Sequence, residues 1–263
     1  MASSSLGEAV ARLDELTRRL RRECPWDREQ DERSIVPHTV EEAYELADAA
    51  HRADDAKLLD ELGDVLFQVH FLALLLEERG AGTMEDVAEH VRQKLIRRHP
   101  HVFGEGPTAS PSVPQVESAG EVLRNWDAIK QTEEGREPGI FGDVPESLPG
   151  PLYARKVQRR AATSGFDFAH VPYEGVAAEL EELEAAQTRE ERFHEAGDVL
   201  FAAVNVARKL KVDPELALRA ASDRFRGRVE AAESLAEADG AAWGELSPDA
   251  QLGYYAQARL NEQ

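Results

Sequence analysis

Glu61-Leu62-Gly63-Asp64-Val65-Leu66-Phe67 and Glu195-Ala196-Gly197-Asp198-Val199-Leu200-Phe201 are two versions of one pattern, 134 positions apart. Each sets a Glu and an Asp three residues apart, beside an apolar run. Residues three or four apart share one face of a helix. Each stretch therefore reads as a helix that carries two carboxylates next to side chains suited to a core. A repeat of this kind implies two related structural units.

The match extends in both directions. Upstream, Glu42-Ala43-Tyr44-Glu45 aligns with Glu179-Leu180-Glu181-Glu182 at an offset of 137, so the second copy is three residues shorter between its acid pairs. Downstream, Lys94 and Arg98 align with Arg224 and Arg228, and Trp126 and Lys130 with Tyr255 and Arg259. The order is the same in both copies: ExxE, ExxD, a basic i,i+4 pair, then an aromatic with a base four residues later.

Apolar steps of three and four predict helices over 9–22, 39–51, 56–79, 83–98, 117–132, 152–162, 173–186, 190–210, 214–235 and 248–260. Pro37 and Thr39 mark the expected start of the second, with Thr39 as its N-cap. Cys24-Pro25-Trp26-Asp27 breaks the chain after the first helix. Residues 104–115, rich in Pro, Gly and Ser, read as a loop. No alternating strand stands out, so the fold class is all-α. Eight Pro and Gly residues within 135–151 mark that stretch as a linker. The expected organisation is an N-terminal helical domain over 1–134, the linker 135–151, and a C-terminal helical domain over 152–263.

The chain has 263 residues, 42% of them hydrophobic, which suffices for a packed core. It carries 31 Lys and Arg against 51 Asp and Glu, a formal charge of −20. That field repels polyphosphate backbones and argues against stable nucleic-acid binding. Phosphorylated ligands then require divalent cations or locally placed bases. One cysteine, Cys24, cannot form an internal disulfide. No apolar run is long enough for a membrane span, and the first residues lack the features of a secretion signal. The expected location is cytoplasmic. There is no GxxxxGK[ST], GxGxxG or GxSxG motif, so a P-loop or Rossmann nucleotide site is unsupported.

The acid spacing has a chemical reading. Helices joined by a short turn pack antiparallel, so ExxE and ExxD can face each other. Four carboxylates with no Lys or Arg among them would repel, and a hard cation relieves this. Mg²⁺ takes oxygen ligands and keeps waters that a phosphate can displace. Asp64 and Asp198 stand where a diiron bundle would place His, which favours Mg²⁺, with Mn²⁺ the alternative. Acids at i,i+3 are also commonplace on solvated helices; the ordered repeat is what separates these from that background. Lys94, Arg98, Arg224 and Arg228 read either as salt-bridging surface residues or as phosphate contacts. Trp126 and Tyr255 read either as core aromatics or as stacking partners of a base, with Lys130 and Arg259 meeting phosphate. His99 and His101 flank Pro100 and read as capping or loop residues.

Glu41-Glu42-x-x-Glu45 followed by Glu61-x-x-Asp64 resembles the signature of the MazG family, EExxE then ExxD. The similarity continues through Cys24-Pro25-Trp26-Asp27, Arg97 to Phe103, Trp126 to Lys130, Ser147-Leu148-Pro149 and Gly165-Phe166-Asp167, at the spacings of two-copy bacterial members. In the second copy Ala178 replaces the first Glu of the doublet. The resemblance implies two related all-α halves and a homodimer. It also implies Mg²⁺-dependent hydrolysis of ribo- or deoxynucleoside triphosphates to monophosphate and pyrophosphate, for pool cleaning or stress regulation. It assigns metal ligation to Glu42, Glu45, Glu61 and Asp64 and to Glu179, Glu182, Glu195 and Asp198. Turnover falls to the second set, with Arg224 and Arg228. Lys94, Arg98, Trp126, Lys130, Tyr255 and Arg259 become nucleotide contacts. Asn205 resembles a nucleotide-contacting Asn of the family, beside its alternative reading as a core amide. Rival readings are a nucleotide or metal sensor, a purely structural helical repeat, and a narrower dUTP or dCTP hydrolase.

Overall fold

Helix-forming stretches closed by strong caps dominate the chain. The computed structural model describes residues 5–104, 118, 121–122, 125–126, 129, 139–142 and 144–261. Among these residues there are helices and no strand. In chain order the helices are α1 (Leu6–Glu23), α2 (Pro25–Glu29), α3 (Glu32–Arg52), α4 (Asp55–Glu78), α5 (Met84–Arg98) and α6 (Pro100–Phe103). They continue as α7 (Gly150–Thr163), α8 (Tyr173–Ala185), α9 (Arg189–Lys209), α10 (Pro214–Ala238), a 3₁₀ turn (Trp243–Glu245) and α11 (Pro248–Asn261). The chain divides into two compact units, Met1–Glu134 and Gly135–Gln263. Lys130, one of the expected phosphate contacts, lies outside the described residues, as does all but Gly104 of the loop expected over 104–115.

In the first unit α3 and α4 form a tight antiparallel hairpin, and α1 packs on α4. The turn between them holds two residues. Ala53 adopts a left-handed conformation (φ 54°) at the end of α3, and Asp54 caps α4 by accepting from the Lys57 backbone N–H at 3.0 Å. The core is Ile35, Phe71 and Leu75, with Phe67 and Leu72 against it; Phe71 is 0% exposed. Arg21 locks the edge of this core. Its guanidinium donates to the carbonyls of Asp27 and Gln30 and to Glu78, and lies 5.8 Å from the Phe71 ring centre. The corner that begins at Cys24 is thus held by a cation that donates to the carbonyls at the end of α2.

One expected boundary moves. The sequence reading starts a helix at Thr39, after Pro37; α3 begins at Glu32 and runs through Pro37. Asp31 and Ser34 form a reciprocal capping box seven residues earlier than the expected start of the hydrogen-bonded run. Burial of Ile35 in the core offsets the one backbone hydrogen bond that proline removes. Thr39 is interior to the helix, and its hydroxyl donates to the Ile35 carbonyl.

The second unit repeats the plan. α8 and α9 form the hairpin, α7 packs on α9, and α10 packs on α11. Its buried apolar residues are smaller: Val204, Ala232, Ala236 and Ala258. Alanines at the α10–α11 contact let the two backbones approach closely. Gln158 of α7 donates to the Phe201 carbonyl of α9 at 2.7 Å, and Arg155 pairs with Asp213, the N-cap of α10.

Candidate metal and nucleotide site

Each hairpin brings three acids together. Carboxylate oxygens of Glu42, Glu45 and Glu61 lie within 4.8 Å of one another, as do those of Glu179, Glu182 and Glu195. The i,i+3 spacing of each ExxE puts both acids on the α3 or α8 face that meets α4 or α9. The three-residue difference between the copies is absorbed at the tips. α3 runs seven residues past Glu45, to Arg52, whereas α8 runs three past Glu182, to Ala185. The second hairpin has lost about one helical turn there and has one more residue in its connection, 186–188. The acids therefore stay on the facing sides.

Asp64 and Asp198 stand one turn further along and fall outside the two triads of converging atoms. They still act through space. Burial, then Asp64 and the acids at 45, 61 and 41 raise the Glu42 carboxyl above its ordinary value. Burial, then Glu182, Asp198 and Glu195 do the same to Glu179. Burial is the larger cause of both shifts, and crowding of like charge adds to it; a bound cation relieves the crowding.

Glu61 is 1% exposed, and no hydrogen bond reaches its Oε2. A buried carboxylate in that state is costly unless something charged meets it. Part of the answer corrects the expectation that no base stands among these acids. Lys57, one turn before Glu61 on α4, pairs with Glu61 Oε1 and lies 3.9 Å from Glu45 and 3.9 Å from Asp60. The bond to Glu61 holds the Lys57 ammonium above its ordinary value. Glu179, Glu182 and Glu195 have no Lys or Arg paired with them among the described residues.

The expected nucleotide contacts separate by unit. In the first, the Arg98 guanidinium lies 5.8 Å from the Trp126 ring centre, and His99 lies 6.2 Å from the same ring. His99 closes α5 and opens α6, in line with its reading as a capping residue, and His101 meets it at 5.6 Å with tilted rings. Lys94 is half-buried on α5. In the second unit Tyr255 meets Phe225 at 5.8 Å. Both line an apolar cavity of about 400 Å³, with Val229, Trp243, Pro248, Gln251 and Leu252. Arg224 and Arg228 flank Phe225 along α10, and Arg259 is exposed on α11. Asn205 is buried on α9, and its Oδ1 accepts from Arg208 at 2.9 and 2.8 Å. Arg208 in turn reaches Asp167 at 2.5 Å.

Comparison with known proteins agrees with this architecture. Residues 30–103, from the entry to α3 through α6, match the family model described as the MazG nucleotide pyrophosphohydrolase domain. The chain is 40% identical over 239 residues to the Thermotoga maritima protein named nucleoside triphosphate pyrophosphohydrolase/pyrophosphatase MazG, covering 90% of this chain and 89% of that one. This chain belongs to the MazG family. An Escherichia coli K12 protein named nucleoside triphosphate pyrophosphohydrolase is 38% identical over 226 residues, 82% of this chain and 83% of its own. A Mycobacterium tuberculosis protein of the same name is 34% identical over 171 residues, 64% of this chain and 48% of its own.

Two residues of the candidate site escape a reading of motifs. Lys57 hides among ordinary i,i+4 pairs, and its proximity to Glu45 depends on the hairpin. Phe225 lies between two arginines that attract attention first, and its apolar spacing with Val229 is the only sign of a cavity wall.

Proposed function

We propose that this MazG chain hydrolyses ribo- and deoxynucleoside triphosphates between the α- and β-phosphates, releasing monophosphate and pyrophosphate. The names of its relatives support this reading. The observation that carries it is the pair of hairpins, each converging three carboxylates within 4.8 Å. The residues fit a hard cation, because Glu61 leaves a buried oxygen without a hydrogen bond and like charge crowds Glu42 and Glu179. Mg²⁺ is the ion we assign, with Mn²⁺ as substitute. Glu179, Glu182, Glu195 and Asp198 would hold it in the second unit, and Glu42, Glu45, Glu61 and Asp64 in the first. When bound it neutralises triphosphate charge and polarises the phosphoryl oxygens.

Turnover is assigned to the second unit, whose acids carry no resident ammonium. Glu179, with its raised proton affinity, is suited to take a proton from the attacking water. Arg224 and Arg228 offer two cations one turn apart for the departing pyrophosphate. Tyr255 and Phe225 give a base an apolar wall to stack on, with Arg259 nearby on the same helix as Tyr255. Lys94, Arg98, Trp126 and Lys130 are the counterparts in the first unit. The absence of an activated nucleophile among these residues fits direct attack by water.

The domain reading is two helical MazG-type halves, over 1–134 and 152–263, joined through 135–151. Dimerisation is part of the proposal. Leu59, Leu62, Leu66 and Val69 are exposed at three- and four-residue steps along α4, and Phe193 and Leu200 occupy the matching positions on α9. Apolar stripes of this length suit a second copy of the chain. No described helix is long and apolar enough to cross a membrane, and a cytoplasmic nucleotide-pool or stress role fits the chemistry.

The deciding experiment is product identity. The protein is incubated with a panel of NTPs and dNTPs, with Mg²⁺ or EDTA, and the nucleotides are separated. Metal-dependent NMP and pyrophosphate support the proposal. Nucleoside diphosphate and phosphate would mean that a different bond is cut.

A further inference from the structure

The two acid clusters are built alike but are charged differently. In the first, Lys57 places its ammonium on Glu61 and within 3.9 Å of Glu45. In the second, the residue at the same helical position, four before Glu195, is Glu191. Its carboxylate is turned away, accepting the backbone N–H groups of Gln187 and Thr188 at 2.8 and 2.9 Å to cap α9. One hairpin therefore contains a cation of its own, and the other has an acid where that cation would be.

Two further observations give the difference a consequence. Glu61 is almost wholly buried and Oε2 has no hydrogen bond, so the first cluster still offers a ligand oxygen. Lys57 itself is half-exposed on a flexible stem, at the rim of an open depression of about 600 Å³ lined by Asp54, Asp60 and Asp64. A divalent ion entering the first cluster meets the ammonium on its own ligand. The side chain has acids to retreat to, but the Glu61 pair must break first.

We propose that Lys57 is a built-in counter-cation of the first acid cluster, which competes with a divalent ion and makes the first site the weaker of the two. This rests on the reading that both clusters bind such ions. The two sites then fill in order: the second at low concentration, the first only when the ion is abundant. Lys57 touches acids, not substrate, so it sets occupancy of the first site without taking part in the reaction.

The test is Mn²⁺ binding to the full chain, read by electron paramagnetic resonance of the free ion, without nucleotide. Wild-type protein is expected to show a tight and a weak class. Lys57→Met keeps the stem and deletes the charge; it should tighten the weak class about tenfold and leave the tight class unchanged. Glu182→Gln should remove the tight class alone. As a reciprocal check, Glu191→Lys should weaken the tight class, whereas Glu191→Gln, which alters the cap without adding a cation, should not. An unchanged or weakened first class in Lys57→Met would overturn the role of Lys57 while leaving the metal sites standing. No Mn²⁺ bound by the wild type would overturn the metal reading itself.

Discussion

Replacing Phe71 by alanine tests whether the first acid cluster depends on the core beneath it. Phe71 is 0% exposed, packs with Ile35 and Leu75, and meets Phe67 at 5.9 Å between ring centres. It projects from α4, which carries Glu61, onto Ile35 of α3, which carries Glu42 and Glu45. Cutting the ring back to a methyl removes roughly 130 Å² of buried apolar surface, which at about 25 cal/mol per Å² is about 3 kcal/mol. The cavity left behind brings the total to about 3–5 kcal/mol, the usual range for Phe→Ala in a core. Arg21 also loses the ring face beside its guanidinium. The loss should be confined to the first unit. Hydrogen exchange followed by mass spectrometry reads this directly: amides of α3 and α4 should exchange faster, and those of α8 and α9 should not. Urea unfolding supplies the free energy. A loss below about 1 kcal/mol, or faster exchange spread equally over both hairpins, would show that Phe71 does not hold the α3–α4 hairpin together.

Glu182→Gln should lower triphosphate turnover by more than about a hundredfold with unchanged helicity by circular dichroism, whereas Glu45→Gln should leave most turnover intact; equal losses would contradict the assignment of turnover to the second unit. Tyr255→Ala should raise KM about five- to tenfold, the scale of one lost stacking contact, with kcat little changed; a loss in kcat alone would place Tyr255 elsewhere. Asp167 is held below its ordinary value by Arg208, then Lys209, so its contribution to stability is full above about pH 4 and fades as pH falls through the lowered value. Asp167→Asn should accordingly destabilise the protein at pH 7, with a difference from wild type that shrinks as pH falls below about 4 in urea titrations; a difference that stays constant as the pH falls would rule out the ion pair as its cause.

Much of this architecture is written locally. Helices announce themselves through apolar steps and through caps such as Thr83–Asp86 and Thr188–Glu191. The acid pairs are legible because i,i+3 spacing converts directly into a shared face. What stays hidden is non-local. Pro37 reads as a helix boundary because its local cost is plain, while the gain from burying Ile35 depends on α4. Arg208 reaches back 41 residues to Asp167, and no spacing rule connects them. Trp243 lies in a 3₁₀ turn with no periodicity to betray it, yet it walls the cavity around Tyr255. Lys57 sits four residues before Glu61, a spacing too common on helices to single it out, and its reach to Glu45 is a property of the α3–α4 hairpin.

The unequal hairpin tips have a design consequence. Since the two copies differ beyond their ExxE pairs by about one helical turn, the tip behaves as a spacer that keeps angular phase. Lengthening the tip of α8 by four residues rotates everything beyond by close to a full circle, and the facing carboxylates keep their bearing. Adding two residues turns the far helix by about half a circle and points an acid pair outward. Length at this end of the molecule is therefore open to variation in whole turns added to both arms of the hairpin, which keeps Glu179 and Glu195 both on their facing sides and at one level.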